Sequence, residues 1–162
     1  MFKCLSVLPE KKMIGTCIYT SLAKNETYAL WHQFMPLVKE IPHKIGIELY
    51  SIEIYPPIKS FAEFTPHTAF KKWACVEVST FDVLPNHCET LIVPSGLYAV
   101  FVHYGLLSKA GETIQYIFTE WLPSSDYELD LRPHLSIMGS AYAPESEHSQ
   151  EELWIPIQKK SP

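Results

Sequence analysis

No stretch of this sequence approaches the roughly 20 consecutive apolar residues that a membrane-crossing helix needs. The opening run, MFKCLSVLPEKKM, is too short and too interrupted for a signal peptide, so a cytoplasmic protein is expected. No two cysteines form a CxxC pair; Cys4, Cys17, Cys75 and Cys88 are expected to be free thiols in a reducing compartment. Basic residues are few, 13 Lys and Arg against 18 Asp and Glu, for a formal charge of −5. That balance argues against direct nucleic-acid binding, which rests on basic clusters, and would mildly attract cationic small molecules. The histidines, His32, His43, His67, His87, His103, His134 and His148, show no HxH or HExxH spacing and no pairing with cysteine, so no metal site is assigned. There is no GxSxG, P-loop or GxGxxG, and no cofactor is expected.

What is present is a foldable core. The 162 residues are 47% hydrophobic and 13% aromatic, which excludes a disordered chain and suits one domain over residues 1–162. Leu30, Phe34, Val38 and Ile41 recur at helical spacing, with Trp31 and Met35 on the adjoining stripe and Asn25 as N-cap. Pro36 predicts a kink or an end near Met35. A second stripe, Ile114, Ile117, Phe118, Trp121 and Leu122, runs to Pro123, which stops it. Short β-branched and aromatic runs predict strands over 13–20, 47–55, 73–80, 96–104, 134–139 and 153–158. The fold class is α+β.

The two parts match in order and in detail. LWHQFMP and YIFTEWLP both end in an aromatic-rich turn and a proline; WACVEVST and ELWIPIQ both carry an early Trp. A period of roughly 75 residues is too long for a solenoid and predicts a pseudo-twofold pair of β-α-β-β units, about 10–80 and 88–158, forming an antiparallel sheet. A ligand groove is expected at their junction, since clefts between packed units are preferred sites.

Several residues invite a chemical reading. Glu77 alternates with Trp73 and Cys75 on one strand face, where an acid is costly unless it is paired, solvated or waiting for a cation. GLYAVFVHY, 96–104, is apolar on both faces and reads as a central strand, with His103 a structural histidine at its end. Asp126, Glu128 and Asp130 read as a solvated loop with Arg132, and ESEHSQEE as an exposed loop.

The runs WACVEVST, IVPSGLYAVFVHYG, YIFTEWLPSSDYELDLRPH and EELWIPIQ resemble the GyrI-like, or AraC-type effector-binding, domain family over about Met13 to Gln158. The resemblance implies paired β-α-β-β units around an aromatic-lined groove. It implies a small-molecule binding function of multidrug or effector type, related to transcription regulation. The regulators of the family carry an added helix-turn-helix domain, for which this sequence leaves no room, so a stand-alone binding domain is expected. Other branches offer alternatives: hydrolysis of cyclopropanoid electrophiles, or a protein partner in the manner of a gyrase inhibitor. Where the family often has RPHFEI, this sequence has RPHLSI, placing Ser136 at the position of the usual acid. Glu77 or Glu120 would have to compensate, and Glu77 is the candidate carboxylate for hydrolysis.

The expected ligand is an apolar or cationic aromatic small molecule. Its expected contacts are Trp31, Tyr50, Trp73, Glu77, Phe101, Tyr116, Trp121 and Ser136, because aromatics give contact area while a few polar groups orient the ligand. For Phe101 and Trp121 core packing is the simpler role. No catalytic residue is assigned.

Overall fold

The structure, a computed structural model, describes residues 1–57 and 61–162, and of Phe61 only the backbone. Its strands are β1 (Phe2–Leu8), β2 (Lys11–Thr20), β3 (Leu49–Ile54), β4 (Phe70–Val78), β5 (Glu89–Val93), β6 (Gly96–Tyr104), β7 (Tyr127–Leu129), β8 (His134–Met138) and β9 (Gln150–Lys159). Helix α1 (Thr27–Phe34) lies between β2 and β3; α2 (Ala110–Tyr116) and a short α3 (Leu122–Ser124) lie between β6 and β7. Among the described residues the strands form one antiparallel sheet ordered β1-β6-β9-β8-β3-β4-β2-β5, with β7 beside β9. The architecture is α+β. No helix among the described residues is long and apolar enough to cross a membrane.

Local chemistry explains the helix limits. Asn25 Oδ1 accepts from the Thr27 N–H, but Glu26 occupies the N-cap. Pro36 has no amide hydrogen to give, so the α-helix ends at Phe34 and continues as a 3₁₀ stretch, Met35–Glu40. The second helical segment passes through a π-turn, Ile117–Trp121, before ending in α3, with Pro123 in that final turn. Three strands carry little sequence signal: β1 and β5 hold few buried side chains, and β7 is three residues within the segment expected to be a loop.

Directly paired residues of an antiparallel ladder point to one side of the sheet. Ala74, Ser51, Ser136 and Leu153 are successive partners across β4, β3, β8 and β9, and so share a face. Leu30 and Phe34 of α1 pack on that face with Ala74, Val76 and Val78. Ile117 packs on the same face further along, with Phe101, Leu153, Ile155 and Ile157. Both helical segments therefore cover one side.

The other side has no helix among the described residues, yet it is dry. Tyr50, Ile52, Trp73, Cys75, Tyr98 and Leu135 form a cluster there with Leu8 of β1 and Val93 of β5. Those two strands lie at opposite ends of the strand order yet contribute to one apolar cluster, so the sheet curls around this face. Gly15 permits the tight crossing of β2 and β4: a Cβ there would lie 2.0 Å from the Ala74 carbonyl oxygen. All four cysteines are free thiols, with Cys75 and Cys88 buried.

Candidate functional site

The helix-covered face is not filled. Between α1 and the α2 segment, over the centre of the sheet, lie two adjoining hollows of about 260 Å³ and about 360 Å³. Both are lined by Thr27, Glu53, Lys72, Ile114, Ser136 and Leu153, so they are limbs of one cleft. Small side chains make the space: Ser51 and Ser136 face each other across β3 and β8 where bulkier residues would close the floor. Ile114 belongs to the apolar stripe of α2 but stays 39% exposed, because it faces this opening and not the core.

The first limb is aromatic. The rings of Tyr55 and His134 meet edge to face at 4.8 Å, Phe70 lies 5.0 Å from Tyr55 and Phe64 5.4 Å, while Phe118 of the π-turn approaches His134 at 6.2 Å. Burial pushes the His134 imidazole down to about 3, so at neutral pH it is an uncharged ring in this wall. Arg132 sits at the edge of this limb but is engaged structurally. Its Nε donates to Asp130 at 2.7 Å, one terminal nitrogen donates to the Leu97 and Ile157 carbonyls, and the guanidinium lies 4.7 Å from the Tyr98 ring centre. It passes directly over Gly96, where a Cβ would come within 2.2 Å of it.

The second limb runs between Trp31 and Met35 of the α1 segment and Leu107, Ala110 and Tyr142 on the far side. The floor under both limbs carries charge. Glu53 and Lys72, opposite each other on β3 and β4, form an ion pair at 3.3 Å with side chains only 19% and 14% exposed. Glu151 of β9 opens into the second limb. Nearby, His103 staples β6 to the start of α2: Nε2 donates to the Leu106 carbonyl, and Nδ1 lies 2.7 Å from the Thr113 hydroxyl.

Of the eight residues expected to contact a ligand, the structure brings Trp31 and Ser136 to the cleft. Tyr50 and Trp73 lie on the opposite face, inside the curl. Glu77 is on that side too, held at 3.1 Å by Lys11, which satisfies its charge within the protein. Phe101 is fully buried under the α2 segment, edge to face with Trp121 at 5.1 Å; Phe2 stacks on the outer side of Trp121 at 5.2 Å, and Tyr116 packs against the same cluster. Glu120 is exposed in the π-turn. Sequence reasoning passed over Tyr55, Phe64, Phe70, Phe118, Glu53, Lys72 and Glu151. The YPP run after β3 and the Lys72 interruption of an otherwise apolar strand were the available signals.

Comparison with known proteins agrees with the fold. Residues 6–158 match the model of the GyrI-like small molecule binding domain. No curated protein sequence matches the chain. Among solved structures, SAV2435 bound to tetraphenylphosphonium superposes with a TM-score of 0.70 at 14% identity, covering 98% of this chain and 94% of that one. The EcmrR C-terminal domain gives a TM-score of 0.69 at 16% identity, covering 99% of both chains. A putative bacterial transcription regulation protein from Staphylococcus aureus MU50 gives 0.67 at 14% identity, covering 98% of both.

Proposed function

This chain belongs to the GyrI-like small molecule binding domain family, and on that premise we propose that the cleft between α1 and α2 receives an apolar or cationic aromatic small molecule. The observation that carries the reading is an open, aromatic-walled limb continuous with a charged floor. Flat rings gain dispersion and edge-to-face contacts from Tyr55, Phe64, Phe70 and Phe118, and a cation gains from the same π-faces. Trp31 and Ser136 are ligand contacts in this reading, on the second wall and the floor. The bound form of SAV2435 is in keeping with a cationic aromatic ligand.

The strand order supports a groove at the junction of two β-α-β-β units. In this reading β2-α1-β3-β4 and β6-α2-β8-β9 are equivalent, and the twofold axis passes between Ser51 and Ser136. The residues 1–162 act as one binding unit, working in the cytoplasm.

The test is a titration with a fluorescent aromatic cation and an uncharged dye of the same ring system. Saturable binding of at least the cation is expected, and Ser136→Trp, which fills the floor of both limbs, should abolish it. Undiminished binding by a folded Ser136→Trp protein would overturn the placement.

A further inference from the structure

The two sides of the cleft floor differ in one respect. Lys72 on β4 is answered across the ladder by Glu53 on β3. On the other side, Ser136 pairs with Leu153 and Ile137 with Glu152, so Met138 continues the register opposite Glu151, and Met138 lines the same hollow. A thioether cannot neutralise a carboxylate. His103, the cross-strand partner of Glu151 on β6, has both ring nitrogens committed to Thr113 and Leu106. Glu151 is therefore 93% buried by its 7% exposure, faces a cavity, and has no hydrogen-bond or ion-pair partner among the described residues.

An acid in that position is costly, and native structures seldom leave one unmatched without a use for it. Its carboxyl is held above the ordinary glutamate value, chiefly by burial and further by Glu53, against opposing pulls from His103 and Lys72. Two acids and one lysine leave the floor one negative charge in excess when all are ionised.

Resting on the proposed cleft, we infer that Glu151 is the cation-recognising residue of this domain, and that its ligand is an aromatic body bearing a protonated amine with N–H donors. The carboxylate offers acceptor sites, and neither Tyr142 nor Lys72 in the same hollow donates a hydrogen bond to it, so a ligand carrying N–H donors meets unfilled acceptors. An ammonium gives charge-assisted hydrogen bonds there, whereas a quaternary nitrogen gives only charge. The apolar side chains of Trp31, Met35, Leu107 and Ile114 line the same limb and offer contact to the aromatic body of such a ligand. The acid of the floor thus stands on β9, where Ser136 on β8 leaves none.

Three probes with one naphthalene body separate the terms: an aminoalkyl chain, its trimethylammonium counterpart and its uncharged alcohol. The wild-type protein should bind the amine about tenfold more tightly than either of the others. Glu151→Gln should remove that preference and leave the alcohol within twofold. Met138→Lys, which supplies the missing cross-strand cation, should remove it as well. If both variants keep the full amine preference, or the wild type shows none while binding the alcohol, the assignment of Glu151 is overturned and the aromatic cleft stands. If none of the three probes binds the wild type, the cleft reading falls and Glu151 with it.

Discussion

The two faces of the sheet bury comparable sets of aromatic side chains and arrive at opposite results. On one, the curl brings Leu8 and Val93 together over Trp73, Tyr50 and Tyr98, and the packing closes. On the other, the two helical segments pack in separate clusters, each over its own strands, leaving the centre open over Ser51 and Ser136. A sheet can fill itself by bending, because its edges follow the curvature; two helical segments seated apart on it do not cover the ground between them. The hollow lies in that gap, and the small residues at its centre preserve it.

That contrast can be broken experimentally. The largest effect should come from the closed face. Tyr98 is fully buried, donates to the Pro133 carbonyl at 2.8 Å and carries Arg132 on its ring. Tyr98→Ala should cost about 3–5 kcal/mol of stability in denaturant titration. In protein that remains folded, dye affinity should change less than twofold. A stability loss below about 1 kcal/mol would mean that the closed face is not tightly packed.

Next is the pH response of the cleft wall. His134 has its folded value lowered from 6.5 to about 3, so its contribution is fully present above pH 6.5 and is lost as pH falls toward 3. Glu151, with a raised value, acts in the opposite sense, so the wild-type curve alone is ambiguous. The difference between wild type and His134→Phe isolates the histidine. Between pH 6.5 and 4.5 the variant should gain on the wild type, by at most about 1.4 kcal/mol per pH unit. Parallel stability curves would place His134 in contact with solvent.

A smaller effect belongs to the open face. Phe118→Ala removes one aromatic wall and should weaken binding of an aromatic dye by about 1 kcal/mol, roughly fivefold. The accompanying stability loss should be less than that of Tyr98→Ala, measured in the same denaturant series. The smallest effect on binding is expected of Glu77→Gln. Its charge is already met by Lys11 on the closed side, so dye affinity should be unchanged, with a stability loss of about 1–3 kcal/mol because both side chains are largely buried. A selective loss of cation affinity in that variant would return Glu77 to the binding site.

The order of the elements was legible because periodicity reports burial. Leu30, Phe34 and Ile41 of the first stripe and Ile117 of the second are core residues, and Pro36 ends the α-helix where its chemistry requires. Strands β1, β5 and β7 escaped because edge strands bury too little to write an alternation. The site was less legible for a different reason. Alternation divides a strand into two sets, but it does not say which set meets the helices. In WACVEVST both sets are apolar enough to be buried, so Trp73 and Glu77 looked as eligible as Ala74 and Val76. Lys72, one position before that run, reaches the cleft, as does Phe70. The aromatic wall comes from a loop, a strand end and a π-turn, whose meeting depends on tertiary structure alone.

The placement of the edge strands has a temporal consequence. Leu8 of β1 pairs with Gly96 of β6, and Val93 of β5 pairs with Lys11 of β2. Each strand at the margin is thus supplied by a distant stretch of sequence, and the hairpin neighbour that follows it in the chain lies elsewhere in the sheet. On a translating ribosome, β1 has no partner until some ninety residues more have emerged, at least several seconds at ordinary elongation rates. Through that interval Phe2 and Leu8 have neither the Trp121 ring nor the curled core to cover them. Pairings so far apart in sequence make for slow closure, and they tie β1 to the completion of the whole sheet. The price of a binding surface built from both parts of the chain is that neither part can finish alone.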